Sequence, residues 1–464
     1  MQVILYFIRA CHIAIAFFES GANQLIILLS HFILPVINRD GIVLSLPNFI
    51  IRRTENHPLI HILCYRKFFF KLKNNFFMKQ IKGISVIATT MLVLLACQKD
   101  VKSPEQITVA KSEEPATFAG RGNNENSQGH VYTLSNQTTG NQVLDYKRAA
   151  NGTLTLTGSY ATGGTGTGGG LGNQDVVILS DADDFLLAVN AGSNSISSFK
   201  ISGSGLTLKS TMNAGGMRPV SITQYKDLVF VLNAGGNGNI SGFRLLDNGT
   251  LQPIPNSTRP LSSNMAGAAQ VSFVNKGKVL VVTEKATNKI ISYTVNESGI
   301  PGIMHSITSS NPTPFGFAVG KKDNIFVSEA VGGAPGASTL SSYEISNNGT
   351  ITLSDGPVGA NQSAACWVVI TNNGKFAYTT NTASNNLSTF NVKDEGNISV
   401  NTAISATTQI GPIDAALSNN SKYLYVLNAV SHSIGVYEVA NDGGLSIVQT
   451  LPGVPTGATG LAAR

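Results

Sequence analysis

The chain has few cysteines and few charged residues for its length. It contains four cysteines in 464 residues, and charged residues make up only 12% of it. If the chain is processed at Cys97, as inferred below, only Cys97 and Cys366 remain, and lipidation of Cys97 leaves no intramolecular disulfide. Stability must then come from burial and strand pairing, for which a hydrophobic content of 42% is sufficient.

Positive charge is also scarce once the N-terminal region is set aside. Ten of the 32 basic residues and three of the 26 acidic residues precede position 97, which leaves 22 basic and 23 acidic residues. The sequence pI near 9.0 therefore belongs to the N-terminal region. Phosphate backbones are bound by clustered Lys and Arg, so this balance argues against nucleic acid as a partner.

No apolar run is long enough to be a convincing membrane span, but one has the order of an export signal. Residues 78–100 read MKQIKGISVIATTMLVLLACQKD, with two lysines, an apolar run from Ile84 to Ala96, and then Cys97. A span would need about 20 apolar residues, whereas this order is typical of a secretory signal. The stretch resembles the bacterial lipoprotein leader, whose L-x-A-C box marks the lipidated cysteine. We expect a signal peptide over 78–96, a lipid anchor at Cys97 and a location at the cell envelope.

Two further segments flank this signal and are excluded from the fold prediction. Residues 1–77 are interpreted as translated upstream sequence, with a genuine membrane-associated extension as the alternative. Residues 97–128 are rich in Lys, Glu, Pro, Ser and Asn and have few large apolar residues. Such a stretch buries too little to offset its ordering entropy, so it is predicted to be a flexible tether.

Internal repetition dominates residues 129–464. An alternating strand ends in a polar residue seven times, at steps of 43 to 54 residues. Each such strand is followed by a second alternating strand and then a glycine turn, a pattern that favours half-buried strands joined by tight hairpins. The seven polar residues are Asn136, Asn190, Asn233, Glu284, Glu329, Asn381 and Asn428.

A further strand precedes the polar-ended strand in six of the seven repeats. The first repeat lacks one, and the chain ends in GATGLAAR at 457–464, which has the small apolar residues of an innermost strand. We expect this tail to complete the first repeat. The prediction is an all-β, seven-bladed β-propeller with four-stranded blades, closed by the C-terminal strand and monomeric.

The repeats resemble the lactonase-type seven-bladed propellers, the group that contains phosphogluconolactonase and carboxymuconate cyclase. The resemblance covers about 130–464 and implies a fold more strongly than a reaction. It implies a glutamate with His and Arg residues at one mouth of the channel, and Glu284 in VVTE matches that glutamate. The chain departs from the family pattern at GGMRPV, where Arg218 has no histidine beside it, and at GAAQVSF, where Gln270 replaces an Arg-His pair.

The same glutamates are candidates on physical grounds. Equivalent positions on successive blades form a ring, so Glu284 and Glu329 are expected to be neighbours at the channel. Two close carboxylates separate their pKa values, which suits general acid and base work. Arg218 could bind an anionic group of the substrate, and Asp414 is a third acid of interest. The alternative is structural, with each glutamate bonded to backbone N–H groups or paired with Lys285.

Other candidates concern binding rather than proton transfer. Trp367 is either a stacking platform or packing between blades, and the adjacent Cys366 is interpreted as a small buried hydrophobe. The glycine-rich run at 161–174 is predicted to let the backbone approach the channel mouth, with Asn173 and Gln174 as polar lining. No cofactor motif is recognised, and His130, His305 and His432 are too scattered to predict a metal site.

Two functions stay open at this level. The first is an exported hydrolase or cycloisomerase of lactones or cyclic sugar acids, with Glu284 as general base, Glu329 as acid or orienting group, and Arg218 and Gln270 contacting the substrate. The second is a non-catalytic propeller at the envelope that binds a glycan, a peptide or a partner protein.

Overall fold

The computed structural model describes residues 129–464, except the side chain of residue 394, and the backbone of seven strands between residues 3 and 63. The chain divides into two units, Met1–Ile87 and Ala88–Arg464, each considered by itself. The predicted signal peptide, tether and lipidation site at Cys97 lie outside the described residues.

The first unit contains two small antiparallel sheets. One has four strands and the other three, and each joins strands that are consecutive in the sequence. The strands are Val3–Ile8, Ile13–Ser20, Gln24–Leu29, Phe32–Val36, Ser45–Leu46, Phe49–Arg52 and His61–Leu63.

The second unit is the predicted seven-bladed propeller. Seven four-stranded antiparallel sheets, blades 1 to 7, form a ring, and we name their strands inner, second, third and outer from the axis outward. The inner strands of blades 1 to 7 are Thr459–Ala463, Val177–Leu179, Met217–Tyr225, Ala268–Val274, Pro314–Val319, Ala365–Ile370 and Pro412–Leu417. The second strands are Gly129–Leu134, Phe185–Asn190, Leu228–Gly235, Val279–Glu284, Ile325–Glu329, Phe376–Asn381 and Tyr423–Asn428.

The two remaining strands of each blade complete the sheets. The third strands are Gln142–Arg148, Ser195–Ser202, Asn239–Leu245, Lys289–Val295, Thr339–Ile345, Asn386–Val392 and Ser433–Val439. The outer strands are Leu154–Ala161, Gly205–Asn213, Leu251–Pro253, Pro301–Thr308, Ile351–Gly359, Ile398–Thr407 and Leu445–Pro452. In blade 3 the short strand Arg259–Pro260 also pairs with the third strand.

The ring closes through the tail of the chain, as predicted. Thr459–Ala463 pairs antiparallel with Gly129–Leu134, so that Thr459 lies opposite Leu134 and Ala462 opposite Tyr132. The Arg464 amide donates to the His130 carbonyl at 2.9 Å and the His130 amide donates to the Arg464 carbonyl at 3.2 Å, which extends the ladder by two bonds. The first blade therefore contains both ends of the propeller sequence.

The burial pattern explains why these sequences form blades. Second strands are almost entirely buried, as in Phe185–Asn190, because neighbouring blades cover both of their faces. Outer strands alternate, and Leu154–Ala161 is buried at its first residue and mostly exposed afterwards. The predicted Asn-Gly turns join third and outer strands. Gly249, for example, has φ 85° and its amide bonds the Leu246 carbonyl at 2.8 Å.

Little helix accompanies the strands. Two short 3-10 turns, Val331–Gly333 and Asp394–Gly396, follow the second strand of blade 5 and the third strand of blade 6. Within the part of the chain that the structure describes, no helix combines the length and the apolar character that crossing a membrane requires.

Antiparallel pairing gives the propeller two distinct faces. At what we call the upper face, inner strands begin and second strands end, as where Ala365 lies opposite Asn381. At the lower face, inner strands end and second strands begin, as where Ile370 lies opposite Ala377. The seven polar repeat positions therefore all lie toward the upper face.

Candidate functional site

Glu284 ends the second strand of blade 4 and is completely buried. Its Oε1 accepts the Ser262 amide at 2.9 Å, and its Oε2 accepts the hydroxyls of Thr287, at 2.5 Å, and Ser262. Ser262 lies in the segment that enters blade 4, so the carboxylate ties that segment to the hairpin after the second strand. Lys285, which follows Glu284, donates from Nζ to the Gly172 carbonyl at 3.0 Å.

Glu329 has the equivalent position in blade 5 and is also completely buried. Its Oε1 accepts from the Ser309 hydroxyl at 2.8 Å and the Asn311 amide at 3.0 Å. Its Oε2 accepts from the hydroxyls of Thr339 at 2.6 Å and Ser341 at 2.7 Å. The Tyr343 hydroxyl donates to Oε1 at 3.2 Å, and burial together with the Glu329 charge raises the pKa of Tyr343 to about 12.

The asparagines at the same repeat position donate as well as accept hydrogen bonds. Asn190 and Asn381 each use Nδ2 to donate to a serine on the third strand, Ser197 and Ser388, both at 2.8 Å. Asn233 donates to the Ala214 carbonyl at 3.0 Å. Asn190 also accepts at Oδ1 from Asn141 Nδ2 at 3.0 Å. These three asparagine sites therefore supply an acceptor, whereas the partners named above for the two glutamates are all donors.

Glu284 and Glu329 each bond to their own blade and to the segment that enters that blade, and they share no hydrogen-bond partner in residues 129–464. That they are neighbours in a ring stays a prediction. Their catalytic roles stay predictions.

The axis is occupied by a segment of the chain itself, residues 171–175, which we call the plug. It leads from the outer strand of blade 1 into the inner strand of blade 2, yet it contacts blades on the far side of the ring. Asn173 Nδ2 donates to the carbonyls of Ala268 and Ala269 in blade 4, at 2.8 and 2.7 Å. The Asp175 carbonyl accepts the Ile222 amide of blade 3 at 2.8 Å.

Gln174 extends the plug to blades 5 and 6. Its side chain brackets Val368, donating to the carbonyl at 2.8 Å and accepting the amide at 3.2 Å. A Cβ at Gly316 of blade 5 would lie 2.2 Å from Gln174 Oε1, so only glycine leaves room for this side chain. The sequence predicted Asn173 and Gln174 as polar lining of the channel mouth, and in the structure both are buried and bond to inner strands across the ring.

Aromatic side chains pack beside the plug. Trp367 is 1% exposed, and its ring lies 5.3 Å from that of Phe315 at an angle of 51°. Lys285 Nζ lies 4.4 Å from the centre of the Phe315 ring on this side. Trp367 Nε1 has no hydrogen-bond partner among the described residues. Of the two interpretations of Trp367, packing between blades describes its surroundings.

Asp175 is the residue of the plug that retains contact with the channel. Residues 171–174 are buried, and Asp175 is partly exposed. Its Oδ2 accepts from Gln270 Nε2 at 2.6 Å. Gln270 is fixed in turn by Phe317, whose amide donates to Oε1 at 2.5 Å and whose carbonyl accepts from Nε2 at 3.0 Å. Loss of water around the carboxyl group raises the pKa of Asp175 to about 7, and the hydrogen bond from Gln270 opposes that rise.

Asp414 is the second acid of this region and lies on the inner strand of blade 7. It is 2% exposed, its Oδ1 accepts the Ala415 amide at 2.8 Å, and its Oδ2 has no hydrogen-bond partner among residues 129–464. Burial raises its pKa, the Asp175 charge raises it further, and the amides of Ala415 and Leu461 oppose the rise. The structure therefore brings together Asp175, Gln270, Gln174 and Asp414, of which the sequence analysis omitted Asp175.

The channel is more open toward the lower face. Six of the seven inner strands end there in a partly exposed residue, as at Ile370 and Leu417. Partial exposure also reaches residues inside the strands, at Ile178, Ser272 and Val369. The inner strands are therefore more exposed toward the lower face than toward the upper face, and we call the plug with its contacts the floor of the channel.

The remaining candidates are placed apart from this floor. Arg218 is exposed at the upper face with φ 52°; its amide donates to Asn194 Oδ1 at 2.7 Å, and its guanidinium forms no ion pair in residues 129–464. Cys366 is buried, as predicted. Across the described residues, no group of three or more His, Cys, Asp or Glu side chains is arranged to hold a metal ion.

Part of the chain matches a known family. Residues 337–459 match the model of the family described as lactonase, 7-bladed beta-propeller. Together with the seven blades, this match confirms the resemblance predicted from the repeats. No curated protein matches the sequence of this chain.

Solved structures of the same architecture also resemble the chain. A proposed 6-phosphogluconolactonase of Bacteroides uniformis is 17% identical with a TM-score of 0.58, over 73% of this chain and 100% of its own. A second, from Bacteroides fragilis, is 16% identical with a TM-score of 0.57, over 74% and 100%. The periplasmic gluconolactonase of Pseudomonas aeruginosa is 14% identical with a TM-score of 0.57, over 72% and 99%. At these identities the similarity demonstrates a shared fold.

Proposed function

We propose that this lactonase-like propeller hydrolyses or isomerises a lactone or cyclic sugar acid in its central channel. The observation that carries the proposal is the match of residues 337–459, from the third strand of blade 5 through blade 7, to the lactonase propeller family, in a ring whose inner strands are partly exposed toward the lower face. Ligand sites commonly occupy concave regions with a few convergent polar groups. All three of the similar structures described above bear gluconolactonase names, which supports a lactone as substrate class.

A lactone panel with a pH-indicator readout tests the proposal. Opening a lactone to a hydroxy acid releases a proton at neutral pH, so turnover acidifies a weakly buffered solution. We expect the purified protein to exceed the buffer rate on at least one γ- or δ-lactone of a sugar acid. Equal rates with protein and with buffer across the whole panel would refute lactone hydrolysis.

The same assay tests the predicted catalytic glutamates. If Glu284 is the general base and Glu329 the acid, Glu284→Gln and Glu329→Gln should each lower kcat by about 100-fold. If the two glutamates only hold the hairpins, kcat of folded variants stays at the wild-type value. Arg218→Ala should raise KM if Arg218 binds an anionic group of the substrate.

A non-catalytic binding propeller is the second candidate. It is favoured by the contacts of Glu284 and Glu329, whose four carboxylate oxygens are all occupied by protein donors. It is also favoured by the absence of the family's histidine beside Arg218. An envelope protein of this kind would bind a glycan, a peptide or a partner protein, and it would leave every lactone unchanged.

The proposal places the protein at the cell envelope through a lipid on Cys97. The support is the L-x-A-C box after a charged and then apolar leader. Replacing Cys97 with Ser should move the protein from the membrane fraction to the soluble fraction. Retention of the Cys97→Ser protein in the membrane fraction would refute a lipid anchor at this residue.

A further inference from the structure

Two buried acids at the floor of the channel are not explained by the structural contacts of the blades. Asp414 belongs to the inner strand of blade 7, and Asp175 lies two residues before that of blade 2. Between these two strands lies the inner strand of blade 1. The two carboxyl groups are close enough for the Asp175 charge to raise the pKa of Asp414.

The two acids are held differently from acids that serve the fold. Gln270 fixes Oδ2 of Asp175 and is itself fixed by the Phe317 backbone, so the position of Asp175 is defined through a second residue. Asp414 is bound on Oδ1 by its neighbouring amide, and Oδ2 is buried without a partner among the described residues. Burying an unpaired polar atom costs free energy, so such an atom calls for an explanation beyond packing.

Among residues 129–464, no cationic side chain balances the negative charge of Asp175 or Asp414. Neither is in an ion pair in residues 129–464, and no lysine, arginine or histidine contributes to their electrostatics. Buried carboxyl groups of this kind keep a proton at higher pH than exposed ones. With different exposure and different bonding, one can be ionised while the other is protonated, which is the arrangement that acid and base catalysis uses.

We propose that Asp175 and Asp414 are the general base and the general acid of the channel, acting on a lactone that enters from the lower face. This assignment rests on the proposed lactone function. Asp175 is the partly exposed member of the pair, and the unpartnered Oδ2 of Asp414 can carry the proton to be donated. The roles that the sequence suggested for the upper-face glutamates then belong to these two aspartates.

The chemistry balances with water as the only co-reactant. The Asp175 carboxylate takes a proton from a water molecule, whose oxygen attacks the lactone carbonyl carbon and forms a tetrahedral intermediate. That intermediate breaks its bond to the ring oxygen, and Asp414 donates its proton to this oxygen as it leaves. The product is the open hydroxy acid. Transfer of the proton from Asp175 to Asp414 then restores the starting state.

The test compares Asp175→Asn and Asp414→Asn with a matched control. Asp247→Asn makes the same chemical change on an exposed residue of blade 3, away from the axis. Thermal unfolding first identifies the variants that are folded. On D-glucono-1,5-lactone and other sugar lactones, we expect kcat/KM of both channel variants to fall by about 100-fold or more, and that of the control to be unchanged.

The pH profile separates catalysis from a structural role. Wild-type kcat/KM should rise with pH through an apparent pKa of about 7, the value for Asp175, and this limb should be absent from any residual activity of Asp175→Asn. Folded channel variants within about twofold of wild type would overturn the assignment while leaving lactone turnover intact. A wild-type protein inactive on every lactone would instead overturn the proposed function, and the catalytic assignment with it.

Discussion

The two upper-face glutamates and the two channel aspartates are buried acids in opposite surroundings. Glu284 accepts three hydrogen bonds and Glu329 five, from amides and hydroxyls that replace the water each carboxylate has lost. Asp175 accepts one side-chain bond, and Asp414 has an oxygen with no partner among the described residues. Burial alone therefore does not identify a functional acid, and the supply of donors distinguishes the two pairs.

The largest loss of stability should follow from replacing Glu329, the glutamate that accepts the most hydrogen bonds. In Glu329→Leu the Asn311 amide and four hydroxyls lose their acceptor while the site stays buried. Unsatisfied buried donors cost about 1–3 kcal/mol each and are not additive, so we expect a loss of about 5 kcal/mol in the free energy of unfolding. Urea denaturation followed by tryptophan fluorescence of Trp367 measures this change.

Asn428→Leu is the matched control at the equivalent position of blade 7. Its side-chain amide has only long contacts, 3.4 Å to the Val426 carbonyl and 3.4 Å to the Ser433 hydroxyl. We expect Asn428→Leu to lower the free energy of unfolding markedly less than Glu329→Leu does. Equal losses would show that the position, and not the donors around the carboxylate, determines the stability.

The pH dependence of stability should be dominated by the channel aspartates. Asp175 has a pKa of about 7 in the folded protein and 3.8 as its ordinary value. Between these values the folded protein holds a proton that the unfolded chain has released, so stability is greatest at low pH and falls as pH rises toward about 7. Allowing for the partial exposure of Asp175, we expect its contribution to fall by about 3 kcal/mol from pH 4 to pH 8.

Asp175→Asn carries no such proton and should show a flatter profile. Relative to wild type it should gain stability at pH 8 and differ little at pH 4, as measured by urea denaturation at both pH values. Asp414→Asn should shift the profile in the same direction, because burial and the Asp175 charge raise the pKa of Asp414. Parallel profiles for wild type and both variants would show that the channel acids remain ionised in the folded protein.

A smaller effect is expected from crowding the plug that positions Asp175. In Gly316→Ala the new Cβ would lie 2.2 Å from Gln174 Oε1 and 2.7 Å from the Cys366 carbonyl. Displacing Gln174 should lower the free energy of unfolding by about 2 kcal/mol. It should also increase hydrogen exchange of the Val368 amide, which donates to Gln174. Gly359→Ala is a control, since its nearest neighbours would be 3.7 Å away. Unchanged exchange at Val368 would indicate that the plug does not depend on Gly316.

The difference between the two pairs also marks what sequence reasoning could reach. The blades and the closing tail follow from periodicity, which is a local property of the chain. The donors to Glu284 and Glu329 are supplied partly by the segments that enter each blade, such as Ser262 and Ser309. No repeat pattern predicts those contacts, so the sequence suggested only that the two glutamates line the mouth of the channel.

Asp175 was missed for a related reason. The glycine-rich run before it signalled an approach to the channel, but its path across the axis is set by contacts with blades 3 to 6, far away in sequence. The signal that could have identified it is the run Asn173-Gln174-Asp175, three polar residues directly before an apolar inner strand. Polar residues there are costly unless they bond across the ring or serve a ligand.

The smallest effect should come from Glu284→Gln, which keeps the shape of the side chain and removes only its charge. The Ser262 amide can still donate to the remaining carbonyl oxygen, and the hydroxyls of Ser262 and Thr287 can rotate to accept from the new amide group. We expect the free energy of unfolding to fall by about 1 kcal/mol, as measured by urea denaturation. The reciprocal change Asn233→Asp should cost more, because it turns a carboxylate toward the Ala214 carbonyl, which cannot rotate away. A Glu284→Gln loss as large as that of Asn233→Asp would show that the charge of Glu284, rather than its hydrogen-bond acceptors, is what blade 4 requires.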